Sequence, residues 1–151
     1  MAFSSEEIAY INSQHLARVA TVSPDGQPDV TAVVFEFDGA HFFIDGFNPT
    51  NTRRSRNVRH GNGKVALIID DLMTIKPWSP RFIRIYGAAE LVGQEDHQIL
   101  KITPTISWSV NLSGAWLPGS DVENAMRKTQ HAHPHQMTTV NNEKERNRRV
   151  I

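Results

Sequence analysis

The feature that most constrains the fold is a series of short β-type segments separated by tight turns. Residues 17–22 (ARVATV) show an alternating pattern and end at the strong turn sequence SPDG, residues 23–26. Residues 29–37 are rich in Val, Thr and Phe and end at Asp38-Gly39, a pair typical of tight hairpin turns. Residues 41–44 follow at once as a third apolar segment. The first third of the chain is therefore predicted to form consecutive antiparallel strands.

The second half of the chain continues this pattern with longer segments. Residues 64–69, 82–92 and 102–110 are each apolar enough to form a strand, and residues 94–100 are predicted to form a short helix. About six short strands joined by tight turns favour a closed or packed antiparallel sheet over a doubly wound parallel one. The predicted fold class is mainly β, a β-barrel with short helices.

Two further helices are predicted outside the strands. Ser4 and Glu7 have the spacing of a capping box, which predicts a short helix over residues 5–14. A second helix is predicted between Asn51 and His60, and Asn62-Gly63 is the signal that ends it.

Composition narrows the class of protein. The chain has 151 residues, about the size of one domain, with 39% hydrophobic and 21% charged residues, which is ordinary for a soluble globular protein. It contains no cysteine, which excludes disulfides and thiolate chemistry. Its first residues are acidic and polar, unlike a signal peptide, and no apolar run is long enough to span a membrane. A cytoplasmic location and no membrane partner are expected.

One segment departs from the even charge balance of the chain. The 16 basic residues match 16 acidic ones overall, yet no Asp or Glu occurs between Gly46 and Ile69. That stretch carries Arg53, Arg54, Arg56, Arg59 and Lys64. Ordinary surfaces mix both signs of charge, so a stretch of one sign indicates an anionic partner, although a solvated surface remains an alternative.

Three classes of anionic partner are conceivable for this basic segment. Nucleic acid needs a wider basic surface than a neutral chain of sequence pI near 7.1 supplies. An anionic lipid surface calls for a bulky apolar helix face, and Val58 is the lone aliphatic residue between Asn48 and Lys64. A phosphate-bearing small ligand needs a few guanidinium groups and the free N–H groups at a helix start. The residues favour this third partner.

Other motifs have simpler interpretations. The His131, His133 and His135 tract lacks companion carboxylates, and Asp70-Asp71 is better explained as the end of a strand, so no metal site is predicted. The tryptophans are expected in the core or an interface, and Trp78, in a loop bounded by prolines, is the one closest to a site.

From residue 121 the chain has no aromatic residue and few aliphatics, which predicts a flexible tail or a helix from about Val122 that docks on a second subunit.

The order of these parts resembles a known superfamily over about residues 4–111. The hairpin "ARVATVSPDGQPDVTAVVFEFDGAHFFIDG" precedes "TRRSRNVRHGNGKVALIIDD", "PWSPRFIRIYGAAELVG" and "ITPTISWS". This succession resembles the pyridoxamine 5'-phosphate oxidase-like superfamily with its FMN-binding split barrel, and more narrowly the branch that uses the deazaflavin coenzyme F420. Residues 1–111 would then form the split-barrel cofactor-binding domain, and residues 112–151 a C-terminal extension, flexible or docked on the dimer.

The resemblance implies a homodimer of split barrels with two cofactor sites at the subunit interface. Thr52-Arg53-Arg54 stands where the family carries a Ser-Arg-Lys-type motif that grips the cofactor phosphate. The ring system would lie along the second strand and the exit of the third, and Trp78 could cover the substrate. The implied cofactor-binding residues are Thr31, Val33, Val34, Phe35, Ile44, Gly46, Thr52, Arg53, Arg54, Arg56, Asn57 and Trp78.

One departure from the family pattern bears on the reaction. Flavin-oxidase members carry Arg and Lys near the second strand, whereas here "DVTAVVFEF" offers apolar and hydroxyl groups, which argues against pyridoxamine phosphate oxidation. The resemblance therefore implies an oxidoreductase that transfers a hydride from reduced F420 to an enone, olefin or imine. An FMN-dependent enzyme and a non-catalytic module that binds flavin or F420 are the alternatives, and Tyr86, Asp45 or water are the candidate proton donors.

Overall fold

The computed structural model describes residues 2–132, which form an antiparallel sheet of eight strands with two α-helices. Helix α1 spans Ser5–Ser13 and α2 spans Arg53–Arg59. The strands are β1 Ala17–Val22, β2 Pro28–Val33, β3 Glu36–Phe37, β4 Phe42–Ile44, β5 Lys64–Leu72, β6 Pro80–Gln94, β7 His97–Val110 and β8 Met126–Gln130. Two 3₁₀ turns, Pro49–Asn51 and Val122–Ala125, precede α2 and β8. The mainly β fold class is confirmed.

The strand order is β2-β1-β5-β6-β7-β4-β3, with β8 paired to β7 as well. Strand β7 is long enough to hold two neighbours on one edge, because its residues 100–102 pair with β4 and its residues 106–110 pair with β8. The sheet curves at a register shift between Tyr86 and Gly87. A Cβ at Gly87 would lie 2.7 Å from Cγ2 of Ile102, so this bend requires glycine.

One face of the curved sheet forms the core. The row Val19, Leu67, Ile85, Ser107 and Thr129 runs across five strands, and every member is buried. Helix α1 closes part of this face with Tyr10 and Ile11, and its Ser4–Glu7 capping box is formed as predicted. The opposite face carries the next residues along each strand and stays exposed or half-buried.

Three details differ from the sequence predictions. The predicted helix over residues 94–100 is wrong, because Gln94 pairs with His97 in a two-residue hairpin loop and Gly93 has φ +104. The predicted strand 29–37 is divided, since β1 begins at Ala17, opposite Val33, and the chain then bends to pair β3 with β4. The fourth predicted strand extends to Leu72.

Among residues 112–132, the segment predicted as a tail or a helix from about Val122 forms a 3₁₀ turn and a strand. Met126–Gln130 adds strand β8 to the sheet, and Arg127 forms an ion pair with Glu7, which is 1% exposed. The His131 ring lies against the Phe3 ring at an interplanar angle of 52°, with ring centroids 4.5 Å apart. The sequence could not show this, because one short polar strand becomes stable only when its partner strand is present. The tail prediction for residues 133–151, with His133 and His135, lies outside the described residues.

Candidate functional site

The basic segment is held in place by the loop before α2. Gly46 has φ +130 and Asn48 φ +50, and these left-handed conformations turn the chain into the 3₁₀ turn that starts at Pro49. Thr52 caps α2, since its Oγ1 accepts the N–H of Ser55 at 3.3 Å, while Ser55 Oγ donates to the Pro49 carbonyl at 2.6 Å. The predicted helix start is therefore confirmed at Thr52, with Arg53 and Arg54 in its first turn.

The tip of the β6–β7 hairpin supports the same loop. Thr50 Oγ1 accepts the main-chain N–H of Gln98 at 2.9 Å and donates to the Asp96 carbonyl at 3.3 Å. His97 Nε2 lies 3.1 Å from Oδ1 of Asp45. Because a hairpin and a loop far apart in sequence are tied by these contacts, the start of α2 has a fixed position relative to the end of β4.

Arg54 is the central side chain of this site. Its Nη2 donates to the main-chain oxygen of Asp45 at 3.1 Å, and the position a Cβ would take on Gly46 lies 3.5 Å from the same nitrogen. Burial lowers the pKa of Arg54 below its usual range, and the carboxylate of Asp29 opposes that shift. Within residues 2–132 no carboxylate forms a salt bridge with Arg54, so most of its donors stay available.

Arg53 and Arg56 lie beside this site and are exposed on α2. Arg59 turns back to donate to the Thr50 carbonyl at 2.7 Å, so it braces the loop. Asn57 is buried, and its Nδ2 donates to Thr21 Oγ1 on β1 at 2.9 Å. Asn57 therefore anchors α2 to the sheet, and its amide points to Thr21 rather than to solvent.

The wall implied for the ring system is only partly accessible. Ile44 is 0% exposed and Val33 6% exposed, so both side chains belong to the core. Phe35 is half-buried and packs against that core. Thr31 is half-buried, whereas Val34 and Phe47 project into solvent at 73% and 102% exposure. Of the residues implied for the ring system, Gly46 is the one that the structure places directly against Arg54.

Trp78 is not brought to Arg54 within one chain. It lies in the loop that follows β5, whereas α2 precedes β5, and this nine-residue strand, about 26 Å long, runs between them. Trp78 is half-exposed and lines a cavity of about 540 Å³ with Arg18, Asp70 and Phe82.

A larger apolar groove of about 680 Å³ lies on the outer face of the sheet. Small side chains at Ala20, Ala66 and Ala88 form its floor, and Tyr86 and Lys64 stand at its edge. The sequence reasoning did not identify this groove. The signal was present as alanines at the outward positions of three strands, but only the strand register shows that they are neighbours.

The residues at Arg54 fit an anionic cofactor group. The guanidinium has free donors beside a glycine, the first turn of α2 adds main-chain N–H groups, and Arg53 and Arg56 supply further positive charge. The acidic pair Asp70-Asp71, which was considered for a metal site, is engaged in contacts with other side chains. Asp70 pairs with Arg18, while Asp71 is bound by Arg81 and Tyr10 at 2.9 Å each.

No helix among the described residues is both long and apolar enough to cross a bilayer.

Comparison with known proteins agrees with this arrangement. The chain is 35% identical over 92 residues to 5a,11a-dehydrotetracycline/5a,11a-dehydrooxytetracycline reductase from Streptomyces rimosus, a match that covers 60% of this chain and 64% of the relative. The chain thus spans less than two thirds of that relative's length.

Two solved structures share the fold. A conserved hypothetical protein from Mycobacterium tuberculosis has a TM-score of 0.63 at 21% identity, covering 81% of this chain and 93% of that one. A structure titled F420 reductase has a TM-score of 0.51 at 23% identity, covering 62% of this chain and 89% of that one.

The sequence profile of the family described as pyridoxamine 5'-phosphate oxidase matches residues 4–141, which is most of the chain. Together with the curved antiparallel sheet, this match shows that the chain belongs to the pyridoxamine 5'-phosphate oxidase family, whose fold is the split β-barrel.

Proposed function

We propose that this protein is an oxidoreductase that uses coenzyme F420 to reduce an organic small molecule. The observation that carries the proposal is the partly buried Arg54, held by Asp45 and Gly46 at the start of α2 with donors still free. A partly buried guanidinium with no carboxylate salt bridge among the described residues is a favourable place for an anion to bind.

Two findings favour F420 over FMN as the coenzyme. The relative that is 35% identical is named a reductase, and a structure of the same fold is titled F420 reductase. In addition, β2 carries Asp29, Thr31 and Val33 on its inner face and offers no Arg or Lys to a flavin phosphate. FMN remains the alternative coenzyme because the same cradle at Arg54 suits any phosphate-bearing flavin.

The chemistry at such a site depends mainly on positioning. Reduced F420 supplies a hydride when bound, and the protein holds its phosphate and excludes water around the acceptor. Arg54 and the N–H groups of the first turn of α2 would fix the phosphate, while Thr31, Val34 and Phe47 would border the rings. Tyr86 at the groove edge, Asp45 beside Arg54, and water are the candidate sources of the proton.

We propose that the active form is a homodimer with the site completed at the interface. The outer face exposes Val30 and Tyr86 at 67% and 46%, and Trp78, which lines the cavity with Arg18 and Phe82, is 52% exposed. The two cavities lie on this same face, on a sheet surface that isolated monomers rarely leave uncovered. A second copy would cover it and could bring Trp78 of the partner subunit to the cofactor, which one chain alone does not do.

The acceptor is proposed to be an enone, olefin or imine. The relative is named for its action on dehydrotetracyclines, and a groove of about 680 Å³ with an apolar floor is large enough for a ring system of drug size. A cytoplasmic location suits a chain without cysteine that depends on a reduced coenzyme. Residues 1–111 are proposed as the split-barrel cofactor-binding domain, and the extension that follows them adds strand β8 to the same sheet.

One experiment separates the possible coenzymes. The purified protein is dialysed to equilibrium against equimolar F420 and FMN, and the absorbance spectra of the protein and ligand compartments are compared. We expect the deazaflavin band to be retained, followed by turnover when reduced F420 is mixed with a panel of enones, olefins and imines. Retention of FMN alone would support the flavin alternative, and retention without any turnover would support a binding module. Retention of neither coenzyme would overturn the proposal.

A further inference from the structure

The carboxylate of Asp29 lies on the same side of the sheet as helix α2 and Arg54. Asp29 pairs with Thr21 across β2 and β1, and Thr21 Oγ1 accepts the amide of Asn57 on α2 at 2.9 Å. Directly paired residues on neighbouring strands project to the same face. Asp29 therefore points to the side of the sheet on which α2 packs. Arg54 precedes Asn57 by three residues and shares its side of the helix.

The carboxylates of Asp45 and Asp29 differ in what surrounds them. Asp45 accepts the N–H of Gly46 at 2.8 Å and lies 3.1 Å from His97 Nε2. Asp29 is half-buried and, within residues 2–132, its carboxylate forms neither a hydrogen bond nor a salt bridge. It acts on Arg54 through space, opposing the effect of burial on the Arg54 pKa. Asp29 is therefore a negative charge without a bonded partner among the described residues, and it would repel an anion bound at Arg54.

Coenzymes of the two proposed kinds differ in their phosphate charge. The phosphate of FMN is a monoester, which carries about −1.5 to −2 charges at pH 7. The phosphate of F420 is a diester and has a single negative charge. A nearby carboxylate repels the monoester more strongly, since Coulomb repulsion grows with the charge and is only partly screened in a half-buried site.

We infer that Asp29 is a specificity-determining residue that disfavours monoester phosphates at the Arg54 cradle and so selects a coenzyme with a diester phosphate. This inference rests on the proposed function. It goes beyond it by giving a physical reason why a cradle built for phosphate would prefer the deazaflavin coenzyme. The positive charge of the site has to match the negative charge of the ligand. Surplus charge on the protein or on the ligand remains uncompensated, and this is unfavourable where water is partly excluded.

The test compares four ligands on three proteins by equilibrium fluorescence titration. The ligands are FMN, riboflavin, F420 and the deazaflavin riboside that lacks the phosphodiester. The proteins are the wild type, Asp29→Asn, and Glu123→Gln, a matched loss of one negative charge at an exposed residue of the Val122–Ala125 turn. Thermal unfolding of each protein shows that the substitutions leave the fold intact.

We expect Asp29→Asn to tighten FMN binding about five- to tenfold and F420 binding by no more than about twofold. The two phosphate-free ligands should bind as before, and Glu123→Gln should change none of the four affinities. An equal change for FMN and F420, or no change for either, would overturn the inference and leave the proposed cofactor site standing. Failure of the wild type to bind either coenzyme, with no gain in Asp29→Asn, would overturn both.

Discussion

The guanidinium of Arg54 lies 3.1 Å from the main-chain oxygen of Asp45, and this one hydrogen bond joins the first turn of α2 to the end of β4. Two segments that the sequence separates by a loop are thereby held side by side. The bond also aims Arg54 at the backbone of Gly46, where no side chain intervenes. The site is consequently built from main-chain geometry as much as from charge.

Substituting Gly46 by valine tests that geometry. Gly46 has φ +130, a conformation that side chains rarely adopt, and an added Cβ would stand 3.5 Å from the Arg54 guanidinium. We expect Gly46→Val to destabilise the fold by about 1–3 kcal/mol and to weaken coenzyme binding. Urea unfolding and fluorescence titration measure the two effects.

Gly39→Val is a suitable comparison, because Gly39 has φ +98 in the turn between β3 and β4 and no atom lies near its Cβ position. It should lower stability and leave coenzyme affinity unchanged. Equal affinity losses in both variants would show that the Gly46 effect comes from general destabilisation.

The contact between Asn57 and Thr21 predicts a structural role for a residue that the family resemblance implied as a cofactor ligand. Both side chains are buried, and the amide donates to the hydroxyl at 2.9 Å. We expect Asn57→Ala to lower the free energy of unfolding by about 1–3 kcal/mol, because a buried polar group loses its partner. Asn51→Ala, at an exposed position just before α2, should cost much less. A coenzyme affinity loss in Asn57→Ala without any loss of stability would contradict this role.

Strand β8 predicts where the C-terminal region can be shortened. It pairs with β7 over residues 106–110 and places Arg127 against the buried Glu7. Truncation after Ser120 removes Arg127 and leaves Glu7 without its counter-charge, which is a costly arrangement for a buried group. We expect a marked fall in the melting temperature for that variant and little change for truncation after Ala132. Equal melting temperatures for the two truncated proteins would show that β8 does not contribute to stability.

His131 gives the described fold a predictable dependence on pH. Burial lowers its pKa below the usual value of 6.5, Glu7 opposes this shift and Arg127 adds to it. A histidine whose pKa is lower in the folded state contributes stability that is fully present above pH 6.5. That stability is lost as the pH falls from 6.5 toward the folded-state pKa. We expect the melting temperature of His131→Asn to fall less than that of the wild type between pH 7.5 and about pH 5. Parallel curves for the two proteins would contradict the assignment.

Much of the fold could be predicted from sequence because local signals were strong. The Ser4–Glu7 capping box, the SPDG turn and the alternation in residues 17–22 each depend on residues close together in the chain, and the structure has them where predicted. Residues 94–100 were assigned wrongly because a hairpin loop between polar residues resembles a helix start until the pairing of Gln94 with His97 is known.

The site was harder to predict than the fold, because it depends on which residues become neighbours. The basic segment was evident from its charge, and its helix lies between Asn51 and His60 as the sequence predicted, with Thr52 as the cap. Burial of Ile44 and Asn57, and the place of Asp29 beside α2, follow from strand register, which a single sequence does not define. Residues that contact one another only across the sheet therefore escaped the sequence argument.

The account depends most directly on coenzyme binding at Arg54. The decisive measurement is the dissociation constant of F420 for the wild type and for Arg54→Ala at low salt, with circular dichroism to confirm folding. We predict micromolar binding by the wild type and a loss of about tenfold to a hundredfold in the variant, the effect of removing charge-assisted hydrogen bonds to a phosphate. Equal dissociation constants for the two folded proteins would contradict the account.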